Sequence, residues 1–262
     1  MKLFDTHCHI GLSGDDPAPP YERAVAAAVT DLVLVGVDSD SSRTARDRAR
    51  LMPGVRWSAG LHPNSADAFD DEWPELQKLA REPDCCAIGE TGLDFYRDRS
   101  SPDNQQHALR EQLQLARKLD LPIILHCRQA MSELLTTLAT YAPVCGVIHC
   151  FDGNRDEAAR AVEMGLYISL AGPITYKKND VLRDAARAVP EDRLLIETDA
   201  PFLTPQAVRG QPNEPAFLRH TLERLAAERG CEPEHMAEVT YRNAVALFGK
   251  RDPSDEQGAM RT

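Results

Sequence analysis

No stretch of this 262-residue chain approaches the ~18 consecutive apolar residues that a membrane-spanning helix needs, and 27% of its residues are charged, so a soluble protein is expected. Export is not expected either. Met1-Lys2-Leu3-Phe4-Asp5 enters an acidic, His-bearing segment at once, without an apolar core or a small-residue cleavage site. A disulfide framework is poorly provided for: seven cysteines is an odd count, and the neighbours Cys85 and Cys86 cannot easily bridge each other, which suits a reducing cytoplasm. Positive charge is scarce. Thirty Lys and Arg against 41 Asp and Glu give a net charge of -11, which excludes broad attraction to nucleic acid or anionic lipid. It leaves room for a nuclease, because bound cations and a few local Arg or Lys residues reverse the field at one mouth. A Gly-rich dinucleotide fingerprint after the first apolar run is absent as well.

What is present is alternation. Eight short apolar runs, at 2–7, 31–37, 55–60, 85–90, 122–126, 144–149, 166–170 and 193–198, alternate with longer amphipathic stretches. One of these, 102–119, carries Leu109, Leu113, Ala116 and Leu119 at helical spacing. Eight βα units favour a closed, TIM-type (β/α)8 barrel over an open doubly wound sheet. The length fits one domain over 1–250, followed by a polar tail at 251–262 that is expected to be disordered. Stretches 213–229 and 233–248 read as terminal helices. Pro and Gly cluster at 11–20 and 201–215, read as loops after the first and last strands, at the mouth where barrel enzymes build their sites.

Metal-type side chains sit at the ends of these runs. Asp5-Thr6-His7-Cys8-His9 closes the first, and a period of two puts Asp5, His7 and His9 on one face while turning Cys8 away. Glu90 ends the fourth run, His126 the fifth, His149 the sixth, and Asp199 follows the eighth. As scattered structural residues these groups would be desolvated near one another without compensation. As a cluster at the carboxyl ends of barrel strands they form a metal centre. Four His and two carboxylates exceed what one tetrahedral ion uses, so two divalent ions (Mg, Mn or Zn) sharing Glu90 are expected. His7, His9 and Asp199 complete one shell, and His126 and His149 the other. Glu90 and Asp199 then double as catalytic groups, Asp199 as general base toward an activated water.

At these residues the chain resembles the TatD family of metal-dependent deoxyribonucleases, within the amidohydrolase-like barrels. The resemblance spans nearly the whole sequence. Its motifs are Asp5-Thr6-His7-Cys8-His9, Gly60-Leu61-His62-Pro63, Gly89-Glu90-Thr91-Gly92-Leu93-Asp94-Phe95-Tyr96, the segment 122–128, His149-Cys150-Phe151-Asp152-Gly153 and Glu197-Thr198-Asp199-Ala200-Pro201. It implies the same six ligands and hydrolysis of phosphodiester bonds, typically trimming single-stranded DNA from its 3′ end with magnesium or a similar ion. Two departures stand out. Pro212 replaces the arginine of the family's Arg-Asn-Glu-Pro loop, leaving Arg209 as the candidate replacement, and Thr91 stands where many relatives carry Ile or Cys.

Substrate-binding candidates complete the picture. His62 is placed to hydrogen-bond a scissile phosphate or carry a proton, or else to fix its loop. Arg128 reads equally as a bidentate phosphate contact or the partner of an acidic helix residue. Asn213 and Arg209 lie in the loop after the last strand. Tyr96 or Phe151 has the chemistry to stack a base, although packing is the commoner role of an aromatic ring. The expected partner is a single-stranded DNA end, with no membrane and no obligatory protein partner. A related hydrolase of carbon esters or amides, such as a lactonase or aminoacyl-tRNA deacylase, would use the same chemistry. Some of those relatives bridge their metals with a carbamylated lysine, for which the fourth run has no residue. An inactive scaffold is disfavoured by the complete ligand set.

Overall fold

The computed structural model describes residues 1–97 and 99–249; the expected polar tail at 251–262 lies outside the described residues. β-branched and leucine-rich runs form eight strands: β1 Leu3–Cys8, β2 Val29–Val35, β3 Val55–Ala59, β4 Cys85–Asp94, β5 Ile123–Arg128, β6 Gly146–Ile148, β7 Tyr167–Leu170 and β8 Leu194–Ile196. They pair in parallel in the order β1-β2-β3-β4-β5-β6-β7-β8. Between and after them come α1 Ala18–Ala26, α2 Ser39–Ala49, α3 Phe69–Leu79, α4 Pro102–Leu119, α5 Met131–Ala139, α6 Arg155–Glu163, α7 Asp180–Ala188, α8 Leu218–Arg229 and α9 Pro233–Phe248. No helix among the described residues is long and apolar enough to cross a membrane.

Alternation along the strands sorts the core into two clusters. Val33, Val35, Ala87, Ile124, Val147 and Leu195 pack together inside the barrel. Their neighbours Leu32, Leu34, Ile123, Leu125, Leu194 and Ile196 join the larger cluster under the helices. β1 keeps this rule less strictly. Register shifts at Leu3/Phe4 and Asp5/Cys8 let Phe4 join the interior while Cys8 packs outward, its thiol 3.6 Å from the Val33 carbonyl.

The eight strands close at the seam between β8 and β1. There the Asp199 N–H donates to the His7 carbonyl (2.9 Å), and the His9 N–H to that of Ala200 (2.7 Å). Side chains reinforce this seam: Thr6 Oγ1 donates to the Ile196 carbonyl, and the Thr198 N–H to Asp5 Oδ1. Asp5 thus spends its carboxylate on the seam, and burial pushes its pKa up to about 7. At the amino-terminal end of the strands, α9 seals the barrel with Tyr241, Ala244, Leu247 and Phe248 against Phe4.

Several bounds differ from the sequence expectation for identifiable reasons. β4 continues past Glu90 because its ladder with β5 persists through Gly92↔His126 and Asp94↔Arg128. That continuation needs glycine: Gly92 has φ +143°, and a Cβ there would lie 1.9 Å from the His126 carbonyl oxygen. β8 is cut short at Ile196, ahead of a turn in which Asp199 adopts φ +57°. Helix α8 starts at Leu218 rather than 213, since the Asn213 side chain bonds the preceding loop and Pro215 opens a short 3-10 turn.

Candidate metal centre

Six side chains converge on one carboxylate at the carboxyl ends of the strands. Glu90, from β4, is buried, and its backbone is fixed by an N–H bond to the Gly36 carbonyl (2.9 Å) and by Ser58 Oγ donating to the Gly89 carbonyl (2.7 Å). Its two oxygens face different neighbours. Oε2 lies 3.3 Å from His7 Nε2 and 3.6 Å from His9 Nε2, while Asp199 Oδ1 lies 3.8 and 3.6 Å from those same nitrogens. Oε1 lies 2.9 Å from both His126 Nδ1 and His149 Nε2, and 3.4 Å from His62 Nε2.

The remaining ring nitrogens of His9 and His149 fix their tautomers. His9 Nδ1 faces the Val35 carbonyl at 2.8 Å and must donate to it, so Nε2 presents a lone pair inward. His149 Nδ1 faces Glu197 Oε1 at 3.3 Å and donates likewise. Lone pairs and carboxylate oxygens therefore converge, with His7 Nε2 only 3.1 Å from His9 Nε2. Such a cluster is repulsive unless protons or cations sit in it, and the donor set fits divalent metal on both sides of Glu90. His62 is different. Its Nδ1 accepts the Asn64 N–H (3.0 Å), so the proton resides on Nε2 and the ring offers a donor rather than a ligand lone pair.

The electrostatics agree. Burial pushes the pKa of His7 down, and burial with His7 nearby takes that of His9 to about 4. Burial opposes charge on Glu90 too, but His149, His62 and His7 outweigh it and hold its pKa well below the usual carboxylate range. His149 is raised well above an ordinary histidine, because Glu90 and Glu197 on either side overcome its burial. Asp199 is pushed up to about 8 by burial, a rise that Glu90 and Glu197 add to. In a metal-free cluster, protons take the places that cations would fill.

Residues 4–249 match the family model described as TatD related DNase. The chain belongs to the TatD family of metal-dependent hydrolases. It is 36% identical over 251 residues to the uncharacterized metal-dependent hydrolase YabD of Bacillus subtilis, covering 94% of this chain and 98% of that one. Its identity to the 3′-5′ ssDNA/RNA exonuclease TatD of Erwinia billingiae is 40% over 236 residues, 87% and 90% of the two chains. Among solved structures it resembles YJJV, a TatD homolog of Escherichia coli, with a TM-score of 0.88 at 31% identity, covering 94% and 97%.

Within this TatD barrel the six expected ligand residues stand together, and His62 joins them. Arg128 is exposed at the end of β5 and lies over the Tyr96 ring, 4.4 Å from its centroid, with no carboxylate among the described residues in ion-pair reach. Arg209 stacks on Tyr176 at 4.7 Å. Asn213 does not face the mouth as a free group: it is buried, and its amide donates to the Thr198 (2.8 Å) and Phe202 (2.5 Å) carbonyls while its oxygen accepts the Glu214 N–H. Phe151 is only 2% exposed and belongs to the core, so it cannot stack a base. Two residues without a stated ligand-orienting role in the sequence reading act through the histidines. Asp94 Oδ2 lies 3.3 Å from His126 Nε2, and Glu197 holds His149 while accepting the Cys150 N–H (2.6 Å) and Ser169 Oγ (2.5 Å). Strand parity does not announce either one: β4 carries a register shift between Ile88 and Thr91, and Glu197 lies beyond the end of β8, ahead of the turn at Asp199.

Proposed function

We propose that this protein hydrolyses phosphodiester bonds at the 3′ end of single-stranded DNA, and of RNA, using two divalent ions that share Glu90. The division of Glu90 carries this reading, with Oε2 turned to His7 and His9 and Oε1 to His126 and His149. His7, His9 and Asp199 would hold one ion beside Glu90, and His126 and His149 the other. When bound, the ions make water more acidic and offset the charge on phosphate oxygens. The protein's own groups do the rest. Asp199, at the edge of the cluster, takes the proton of the attacking water. His62 donates its Nε2 proton toward a phosphate oxygen, and the Arg128 guanidinium grips a neighbouring phosphate. Glu197 and Asp94 keep the His149 and His126 rings turned inward. The nitrogen-rich donor set suits Mn2+ or Zn2+ at least as well as Mg2+. The Erwinia relative's name supports the strand polarity, and seven free cysteines support a cytoplasmic setting.

The test uses metal-stripped protein with Mg2+, Mn2+ or Zn2+ restored, end-labelled single-stranded and duplex DNA, RNA, and a generic carboxylic ester. Strands are expected to shorten from the 3′ end only with metal. Glu90→Ala is expected to bind less metal, measured as ions per chain, and to cut at least about a hundredfold more slowly, since even partners outside the coordination shell are worth 10- to 100-fold. Ester turnover with DNA left intact would overturn the phosphodiesterase reading in favour of a carbon-ester hydrolase.

A further inference from the structure

Phe202 is one of few large apolar side chains left open to solvent, 59% exposed, and it stands beside the metal centre. Its ring centroid is 6.2 Å from that of His9, at an angle of 64°, so its edge or face meets a ligand ring while most of its surface is uncovered. The backbone beneath it is unusually well held. The Phe202 N–H donates to the Asp199 carbonyl (2.8 Å), and the Phe202 carbonyl accepts the amide of buried Asn213 (2.5 Å). The turn that aims the Asp199 carboxylate therefore also fixes this ring.

The other exposed aromatic at the mouth is already engaged. Tyr96, 53% exposed, carries the Arg128 guanidinium at 4.4 Å and Arg97 at 5.9 Å. β4 and β8, whose following loops bear Tyr96 and Phe202, stand four strands apart in an eight-stranded ring, on opposite sides of the centre. One side thus offers Arg128 and Arg97, suited to phosphate, and the other a free aromatic surface suited to a nucleobase, with Arg209 farther along the same loop laid on Tyr176.

We infer that Phe202 is the stacking platform for the nucleobase adjoining the scissile phosphate, and that Asn213 is a positioning residue acting through it. The inference rests on the nuclease reading above. A strand end laid across the mouth would place its phosphate over Glu90, its base on Phe202, and the next phosphate toward Arg128. Stacking is indifferent to which base is present, since every base has a π-face. The platform therefore predicts a nuclease with little sequence preference.

The test measures binding of a short single strand whose scissile linkage is a phosphorothioate, at fixed Mn2+, with either a normal or an abasic nucleotide at the 3′ end. Phe202→Ala is expected to weaken binding of the normal strand about 5- to 150-fold, the span of base–aromatic stacking, and to leave the abasic strand unchanged. Phe202→Trp is expected to restore binding, and Asn213→Ala to reproduce part of the Phe202→Ala loss on the normal strand alone. Metal content, read in parallel, is expected to stay at the wild-type value in all three. Equal losses on both strands, or none, would overturn the stacking role. If the wild type itself neither binds nor cuts the normal strand, the nuclease reading fails and the platform falls with it.

Discussion

Glu197 stands outside the ring of candidate donors and still fixes one of its members. Its carboxylate takes the His149 Nδ1 proton, the Cys150 N–H and Ser169 Oγ, so three groups agree on one orientation. Glu197→Gln keeps the shape but removes the charge: its amide oxygen would take the place of Oε1 toward His149 and Cys150, its NH2 would face Ser169 Oγ, and the His149 Nδ1–H would be left with a neutral acceptor. Metal affinity at the His126 and His149 side is expected to fall about 10- to 100-fold, read by calorimetric titration of stripped protein with Mn2+ or Zn2+. An unchanged affinity would mean the ring is fixed by packing on His7, which stacks on it at 3.9 Å. That these donor side chains would meet was legible in the sequence, because imidazoles and carboxylates at successive strand ends have no economical structural use. Their orienting partners were not, since Glu197 and Asp94 read as ordinary members of a motif until the fold shows which nitrogen each one faces. Phe202 was hidden for a related reason. Exposure of a ring is a tertiary property, and Phe151, equally aromatic and only two residues past His149, is buried.

At the scale of elements, β2 and α9 are locked by a charged cluster at the amino-terminal end of the barrel. Asp31 of β2 accepts from Tyr241 of α9 (2.8 Å) and Arg56 of β3 (2.9 Å), and the Arg56 guanidinium lies 4.7 Å from the Phe4 ring centroid. Burial opposes the Asp31 carboxylate, yet the hydrogen bonds from Tyr241, Arg56 and Thr30 outweigh it and hold its pKa below the ordinary 3.8. A carboxyl whose folded pKa is depressed stabilises the fold fully above its unfolded value and loses that contribution as pH falls through the folded one. Asp31→Ala is accordingly expected to cost about 1–3 kcal/mol near neutral pH, leaving Arg56 and Tyr241 without their acceptor. The cost should shrink in acid, below pH 3.8, where the wild type too loses the ion pair. Denaturant unfolding of both proteins across that window checks it; a difference that does not vary with pH would assign Asp31 a packing role only. The element boundaries show where sequence reasoning has traction. α4 and α9 are bounded by Pro at the first turn and were readable to the residue, whereas the lengths of β4 and β8 depend on a ladder partner and a left-handed turn that no local pattern announces.

For the molecule as a whole, the decisive quantity is a net charge of -11 carried by a protein read as gripping a polyanion. The barrel order was legible from eight apolar runs, but the distribution of charge around its mouth was not, because it depends on which loops rise beside the centre. Arg128 and Arg209 are exposed there, each laid on a tyrosine ring, with Arg97 alongside. Two or three arginines cannot offset the acidic total over a long strand, since at physiological salt fields decay within about 8 Å. Binding should therefore be local, resting on metal, one stacked base and two or three phosphate contacts. Each phosphate neutralised on a single strand contributes about -0.7 to the slope of log K against log salt. A slope of about -1.4 to -2.1 is expected, so that raising salt from about 50 to 200 mM at fixed metal weakens binding only roughly 7- to 20-fold. Arg128→Ala should flatten the slope by about 0.7 and Phe202→Ala should leave it untouched, because stacking releases no counterions. Fluorescence anisotropy with a labelled single strand measures all three. A wild-type slope steeper than about -4 would require more phosphate contacts than Arg128, Arg209 and Arg97 supply, and would mean that the strand runs beyond this mouth.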